Sequence, residues 1–120
     1  MHLAPLALGQ AREERLLYAD QPGSPLSSLT KRNLEHFGIA VTHADQVSVT
    51  TVDAYCAEHG IAMIDLLKLD IEGHELNALR GAQSMIRNRR IRFIQFEFGA
   101  PDIESKTFFK DIFKFLSSDY

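Results

Sequence analysis

The chain has 120 residues, and its 13 Lys and Arg against 16 Asp and Glu give a formal net charge of −3. Because no basic excess is available to neutralise phosphates, a nucleic-acid partner bound mainly through charge is excluded. Hydrophobic residues make up 45% and charged residues 24%, a globular composition that excludes a disordered or fibrous chain. The length predicts a single domain over residues 1–120.

Cysteine usage and hydropathy indicate the compartment. The single cysteine, Cys56, rules out an internal disulfide and favours a reducing, cytoplasmic environment, in which it is expected to be a buried, inert thiol. No signal peptide is present at the start, and no stretch approaches the roughly 18 apolar residues of a membrane helix, so no membrane partner is expected. The histidines lack the spacing of metal ligands, and no metal site is predicted.

The first half of the chain carries short elements. Apolar patterning and turn residues predict a strand at residues 14–20, one or two helical turns at residues 31–37, and a half-buried strand at residues 46–50. Thr51 is the expected N-cap of a helix over residues 52–59, in which Asp53 complements the helix dipole.

A βαβ unit is predicted over residues 62–98. Residues 62–71 are almost continuously apolar, which is typical of a strand buried on both faces of a parallel sheet, and residues 91–98 form the second strand. Between them, one helix is predicted from an apolar stripe at Ala78, Leu79, Ala82, Met85 and Ile86. Gly81 inside this helix indicates close packing against the sheet. The predicted fold class is α/β, with a central right-handed βαβ unit and flanking helices.

Most of the eight phenylalanines lie between Phe93 and Phe115. Ser105 is the expected cap of a last helix that carries Phe109, Ile112, Phe113 and Leu116 on one face. This cluster predicts a core strand and the helix that covers it, and an exposed aromatic binding platform is the alternative.

Charged side chains concentrate where the first strand of the βαβ unit ends. Lys68, Asp70, Glu72 and His74 stand at every second position there. In open α/β sheets, ligands bind at the carboxyl ends of the strands. Alternation places Lys68 and Asp70 on one face of the strand, and Glu97, near the end of the second strand, is expected at the same edge.

These five residues have a catalytic and a structural interpretation. In the first, Asp70 and Glu72 position a hydroxyl or accept its proton, and His74 offers the side-chain type best matched to that transfer near neutral pH. Lys68 and Glu97 then bind or orient the substrate. In the second, Lys68 forms a structural ion pair beside helix-capping carboxylates, and His74 lies at the surface. Residue types alone leave both interpretations open.

The order of the motifs adds a family resemblance. Residues 68–76 read Lys-Leu-Asp-Ile-Glu-Gly-His-Glu-Leu, residues 79–82 read Leu-Arg-Gly-Ala, and together they resemble the signature of the FkbM family of S-adenosylmethionine-dependent methyltransferases. Three further segments are similar to that family: the Ser-Ser-Leu stretch at residues 27–29, residues 51–56, and residues 94–99 with the Phe-rich helix after them. The resemblance spans most of the chain.

This resemblance implies a partial Rossmann-like methyltransferase sheet and S-adenosylmethionine as cofactor. It also implies methyl transfer to the hydroxyl of a small acceptor, such as a sugar or a secondary metabolite. Such an enzyme holds the acceptor oxygen in line with the methyl group and helps to remove the hydroxyl proton.

A glycine-rich cofactor turn is missing, because no two glycines stand in Gly-x-Gly spacing. We therefore expect residues 1–120 to be the C-terminal portion of an FkbM-type domain, without its cofactor-binding strands and without turnover on its own. The alternatives are a degenerate copy, a different doubly wound enzyme, and a non-catalytic α/β module that docks onto a partner through its Phe-rich surface. An unpaired sheet edge would also allow self-association.

Overall fold

Strands and short helices alternate along the chain in the computed structural model, which describes residues 1–120. The elements in chain order are β1 (Ala7–Leu8), β2 (Glu13–Ala19), a 3₁₀ turn (Glu35–Phe37), β3 (His43–Thr50), α1 (Val52–Glu58), β4 (Ile64–Leu69), α2 (Glu75–Arg80), α3 (Gln83–Arg87), β5 (Ile91–Phe96), α4 (Ala100–Glu104) and α5 (Phe109–Leu116). The mixed α/β class is confirmed. The helical turns expected at residues 31–37 are reduced to the 3₁₀ turn.

The strands form two separate sheets. In the first, β3 lies between β1, which runs parallel to it, and β2, which runs antiparallel. In the second, β4 and β5 pair in parallel, with Lys68 opposite Gln95 and Leu69 opposite Phe96. The predicted strands and the parallel pairing within the βαβ unit are therefore confirmed.

Only one face of the β4–β5 sheet is buried. Leu69 belongs to a core cluster, and its neighbours Leu67, Ile94 and Phe96 on the same face pack against that cluster. The other members of the cluster are Val52, Cys56, Leu76, Ala78, Leu79, Ala82, Met85, Ile86, Ile91 and Ile112. On the opposite face, Leu66 and Phe93 are paired in register and are 54% and 63% exposed. The expectation that β4 is buried on both faces is wrong, because the helices of the core cover one side of the sheet and leave the other open.

The single helix expected between β4 and β5 is broken into α2 and α3. The break falls at Gly81 and Ala82, and the Asp53 carboxylate accepts hydrogen bonds there from the backbone N–H groups of Ser84 (2.8 Å) and Met85 (2.9 Å). Asp53 therefore satisfies the free amides at the start of α3, which a continuous helix would not expose. Asp53 was expected only to complement the dipole of its own helix, α1, and its contact with the start of α3 was not predicted.

Gly81 is closely packed, as its position inside the apolar stripe predicted. Its carbonyl accepts the N–H of Asp53 at 2.9 Å. A Cβ atom at this position would lie 2.1 Å from the carbonyl oxygen of Gly9 and 3.2 Å from the Cβ of Thr51. The absence of a side chain thus allows the segment after β1, the start of α1 and the end of α2 to meet, and we call this region the α1–α3 joint.

Two local predictions for α1 are also confirmed. The hydroxyl of Thr51 accepts the N–H of Ala54 at 3.0 Å and caps the helix. Cys56 is buried in the core, and this burial raises the pKa of its thiol, with a further contribution from the charge of Asp53. The thiol is held away from solvent and in its neutral form, as expected for an inert cysteine.

The prediction for the last helix is wrong in two respects. Ser105 ends α4, a helix that the sequence pattern missed, and α5 begins after Phe108. Ile112 faces the core, whereas Phe109 and Phe113 are exposed. Among the phenylalanines from Phe93 onward, only Phe96 and Phe115 pack against the core. The others remain exposed because the region of residues 93–113 has no further element that covers them.

Candidate active site

An acidic pocket lies at the carboxyl ends of β4 and β5. Its volume is about 150 Å³, and it is lined by Asp70, Glu72, Gly73, Glu75, Glu97, Phe98, Gly99, Pro101 and Asp102. Asp70 and Glu97 come from the ends of the two paired strands and meet at this edge. The structure therefore brings together three of the five candidate residues identified from the sequence, Asp70, Glu72 and Glu97.

Lys68 stands outside the pocket but contacts one of its residues. Its Nζ lies 3.6 Å from Oδ2 of Asp70, and the two side chains are 53% and 46% exposed. The ion pair predicted with Asp70 is therefore present, but on the open face of the sheet and not in the core. At this exposure it contributes little to stability, and its main effect is to restrict the Asp70 carboxylate.

Two residues from earlier in the chain, Arg32 and Ser28, hold Glu72 in place. Nη1 of Arg32 lies 2.8 Å from its carboxylate, and Nε of Arg32 lies 3.3 Å from Glu104 of α4. The hydroxyl of Ser28 donates to the backbone carbonyl of Glu72 at 2.8 Å. Glu72 adopts a left-handed backbone with φ of 52°, a conformation that costs free energy for a residue with a side chain. These contacts fix the first turn after β4.

Gly73 brings the two loops of the pocket into direct contact. It has φ of 92°, and a Cβ atom built on it would lie 2.4 Å from the carbonyl oxygen of Pro101. No other residue type fits between the loop after β4 and the first turn of α4. The glycine of the Glu-Gly motif therefore sets the distance between the two walls of the pocket.

His74 is not where the surface interpretation placed it. Its side chain is buried, its Nδ1 has no hydrogen-bond partner, and it does not line the pocket. Burial lowers the pKa of the imidazole, the charge of Arg15 lowers it further, and Glu13 opposes them. These neighbours belong to β2, so His74 faces the first sheet as a neutral ring at pH 7.

Two buried acids were missed as site residues. Glu75 accepts the N–H of Ile71 at 3.0 Å through Oε1, and Asp102 accepts the N–H of Gly99 at 2.8 Å through Oδ2. Burial raises the pKa of the Glu75 carboxyl, and the neighbouring Asp102 adds to this effect. Gly99 is the N-cap of α4, and Asp102 is the acid at the third position of that helix. This spacing is typical of a helix start, so Asp102 could have been identified from the sequence.

The pocket is too small for a nucleoside cofactor. Binding sites for small molecules generally begin at about 300 Å³, twice the volume found here, and no glycine turn is present for close approach to a ribose or a phosphate. The acidic pocket by itself therefore does not accommodate S-adenosylmethionine. No group of three or more His, Cys, Asp or Glu is arranged to hold a metal ion. No helix has both the length and the hydropathy needed to cross a membrane.

The chain is an α/β protein whose acidic pocket lies at the carboxyl edge of a parallel strand pair, the edge at which open α/β sheets bind ligands. Residues 2–120 match the family model described as Methyltransferase FkbM domain. The chain therefore belongs to the FkbM methyltransferase family, in agreement with the resemblance seen in its motifs. Neither the curated proteins nor the solved structures contain a match to this chain.

Proposed function

We propose that the chain serves S-adenosylmethionine-dependent O-methylation within a Rossmann-like domain, and that the acidic pocket holds the acceptor hydroxyl. The acceptor class is a small polyhydroxylated molecule, such as a sugar or a secondary metabolite. The observation that carries the proposal is the meeting of Asp70 and Glu97, from two neighbouring strands, in one pocket of about 150 Å³. A pocket of this size admits one functional group of an acceptor, not a whole cofactor.

The carboxylates of the pocket differ in whether a cation already binds them. The Glu72 carboxylate is bound by Arg32, whereas Glu97 has no ion pair and Asp70 has only the exposed contact with Lys68. A hydroxyl group donates its proton to a carboxylate oxygen within hydrogen-bond distance, which orients the oxygen lone pair for attack on an electrophilic methyl group. We assign this role to Asp70 or Glu97, with Glu72 and Lys68 as positioning residues.

His74 is the remaining candidate for proton transfer. The imidazole is buried outside the pocket and next to β2. A base has to come within hydrogen-bond reach of the proton that it removes. The proposal therefore gives the proton-accepting role to a pocket carboxylate and leaves His74 a neutral residue that supports the start of α2.

The proposal is tested by acceptor binding and by methyl transfer. A panel of hydroxylated acceptors is titrated into the ¹⁵N-labelled chain, and this binding is the primary measurement because no turnover is expected from residues 1–120 alone. Transfer from radiolabelled S-adenosylmethionine is measured in addition, at millimolar donor concentration. We expect shift changes at the amides of Asp70, Gly73 and Gly99, which surround the pocket. Asp70→Asn or Glu97→Gln is expected to lower acceptor binding or transfer by about a hundredfold, since each removes an acceptor oxygen with negative charge.

The matched control is Asp65→Asn. Asp65 lies on the same strand as Asp70, but its exposed side chain pairs with Arg92 and does not line the pocket. This variant is expected to bind acceptors as the unmodified chain does. Shift changes confined to other surfaces, or equal binding and transfer by all three variants, would contradict the proposal.

A binding module is the second candidate function. It is favoured by the exposure of Phe93, Phe108, Phe109 and Phe113, since such aromatic side chains are enriched at protein interfaces. The two-stranded β4–β5 sheet also leaves the outer edge of each strand without a partner strand, which supports self-association. The same titration separates the two functions, because a pure binding module shows no response at the pocket amides to any hydroxylated acceptor.

A further inference from the structure

The two loops that form the acidic pocket each contain one buried acid. Glu75 is the first residue of α2 and Asp102 lies in α4, and both side chains belong to residues that are only 2% exposed. Each acid uses one oxygen to hold its own loop, through the N–H of Ile71 and the N–H of Gly99 respectively. Each carboxyl is thereby fixed in orientation by the backbone next to it.

The second oxygen of each acid is left without a donor. Oε2 of Glu75 and Oδ1 of Asp102 are both shielded from solvent and accept no hydrogen bond from any N–H or O–H group of the chain. Both residues line the same small pocket, and the Asp102 carboxyl is near enough to contribute to the raised pKa of Glu75. Two ionised carboxylates in contact and away from water repel, and each lacks a donor, so the fully ionised pair is costly.

We propose that Glu75 and Asp102 share one proton, and that this acid pair is a latch that joins the loop after β4 to the loop after β5. The carboxylic acid of one residue donates its O–H to the carboxylate of the other. One proton thus removes the repulsion and satisfies both unpartnered oxygens. The latch rests on the geometry of these two residues and does not depend on methyl transfer.

The charged surroundings of the pair favour retention of the proton. The other charged groups around the pocket are Asp70, Glu72, Glu97, Arg32, Glu104 and Lys68. Both cations are already paired, Arg32 with Glu72 and Glu104 and Lys68 with Asp70. His74, next to Glu75 in the chain, is held neutral by burial, which lowers its pKa. The negative groups therefore outnumber the cations, and this raises the cost of a second negative charge in the pair.

The latch predicts a direction for the effect of pH. The pKa of Glu75 is raised in the folded chain above its ordinary value of 4.5, so the stabilisation from its bound proton is complete at low pH. It is lost as the pH rises through the raised value. Loss of the proton leaves two buried negative charges across the contact between Gly73 and Pro101, and the two loops separate.

Isosteric amides test the proposal. In Glu75→Gln and in Asp102→Asn, an N–H group can donate to the partner carboxylate without a titrating proton. Infrared difference spectra are expected to show the C=O band of a protonated carboxyl in the unmodified chain at pH values above 4.5, where exposed carboxyls are mostly ionised, and not in Glu75→Gln. Hydrogen-exchange protection of the Ile71 and Gly99 amides, corrected for the intrinsic rate, is expected to fall by up to about tenfold per pH unit between the ordinary pKa of 4.5 and the raised pKa of Glu75, and to level off above it. In the amide variants it is expected to stay constant.

Asp65→Asn is the control, because it removes an exposed carboxyl that pairs with Arg92 and does not line the pocket. It should keep both the infrared band and the pH dependence of protection. Should Glu75→Gln fail to fold, Asp102→Asn carries the same test. Absence of the protonated-carboxyl band, or equal pH profiles for the unmodified chain and a folded amide variant, would overturn the latch.

Discussion

Two regions of the molecule use buried or half-buried carboxylates in opposite ways. In the α1–α3 joint, both oxygens of Asp53 accept backbone N–H groups at the start of α3. In the acidic pocket, Glu75 and Asp102 each satisfy one oxygen and leave the other without a partner. Both regions hold motif residues typical of the family. The difference indicates a structural role for Asp53, whose hydrogen bonds are complete, whereas Glu75 and Asp102 each keep one oxygen for a further contact.

The joint also connects the motif segments at residues 51–56 and 79–82. Thr51 caps α1 and Asp53 caps α3. Gly81 has no side chain and therefore leaves room for the segment that follows β1. Each residue satisfies or accommodates the backbone of a different element, so a change at one of them affects the packing of the others. In the pocket, by contrast, the Asp70 and Glu97 carboxylates accept no hydrogen bond from the backbone, and changes at these side chains are expected to alter ligand binding more than stability.

The strongest test of this contrast is Gly81→Ala. Gly81 has ordinary right-handed helical geometry, with φ of −72°, so alanine is conformationally allowed there. The loss is steric, because the new Cβ would lie 2.1 Å from the Gly9 carbonyl oxygen. We expect the free energy of unfolding in urea to fall by about 3 kcal/mol.

Gly99→Ala is the matched control for that substitution. Its Cβ would meet only Pro101 Cδ, at 3.6 Å, which is an ordinary contact. We expect it to change the free energy of unfolding by less than about 1 kcal/mol. Equal losses for the two alanine variants would show that the α1–α3 joint is not the more tightly constrained region.

A smaller loss is expected for Asp53→Ala. The substitution leaves the N–H groups of Ser84 and Met85 without their acceptor, and the loss of a helix cap with a charged acceptor costs about 2 kcal/mol. Asp53→Asn keeps one acceptor oxygen and should lose about half as much. Thermal unfolding followed by circular dichroism measures the stability of both variants. An alanine variant as stable as the unmodified chain would show that Asp53 has no structural role.

The smallest effect is expected for Lys68→Met beside the pocket. The Lys68–Asp70 pair is exposed and 3.6 Å apart, so its removal should change the free energy of unfolding by less than about 0.5 kcal/mol. Acceptor binding is expected to weaken severalfold, because Asp70 is no longer restrained. A loss of stability comparable to that of Asp53→Ala would place Lys68 among the structural residues and contradict the contrast between the two regions.

Much of the fold was predictable, because strands and their pairing follow from local patterns. The run at residues 62–71 contains β4, the run at residues 91–98 contains β5, and their parallel pairing follows from the helical segment between them. The break between α2 and α3 was not predictable from the stripe, since the residues on both sides continue one helical period. Its cause is a carboxylate, Asp53, that lies about 30 positions earlier in the chain.

The candidate site was predictable only in its outline. Asp70 and Glu97 follow from strand ends that meet at one edge. Arg32 lies 40 positions before its partner Glu72, in a segment without regular structure, and no spacing rule connects them. The periodic pattern of the last helix indicated an amphipathic element but not how much of its apolar surface is covered. The exposure of Phe109 and Phe113 therefore appears only when the chain is folded.

The contact between Gly73 and Pro101 has a consequence for engineering the selectivity of the pocket. Its two walls meet through main-chain atoms, so a library that randomises residue 73 returns mostly unfolded or displaced loops. Useful diversity is expected instead at Phe98, whose side chain borders the opening and is free to change in volume. Substitutions at Phe98 are thus expected to change the range of acceptors that the proposed site takes. The distance between the two walls, in contrast, is fixed by the absence of a side chain at Gly73.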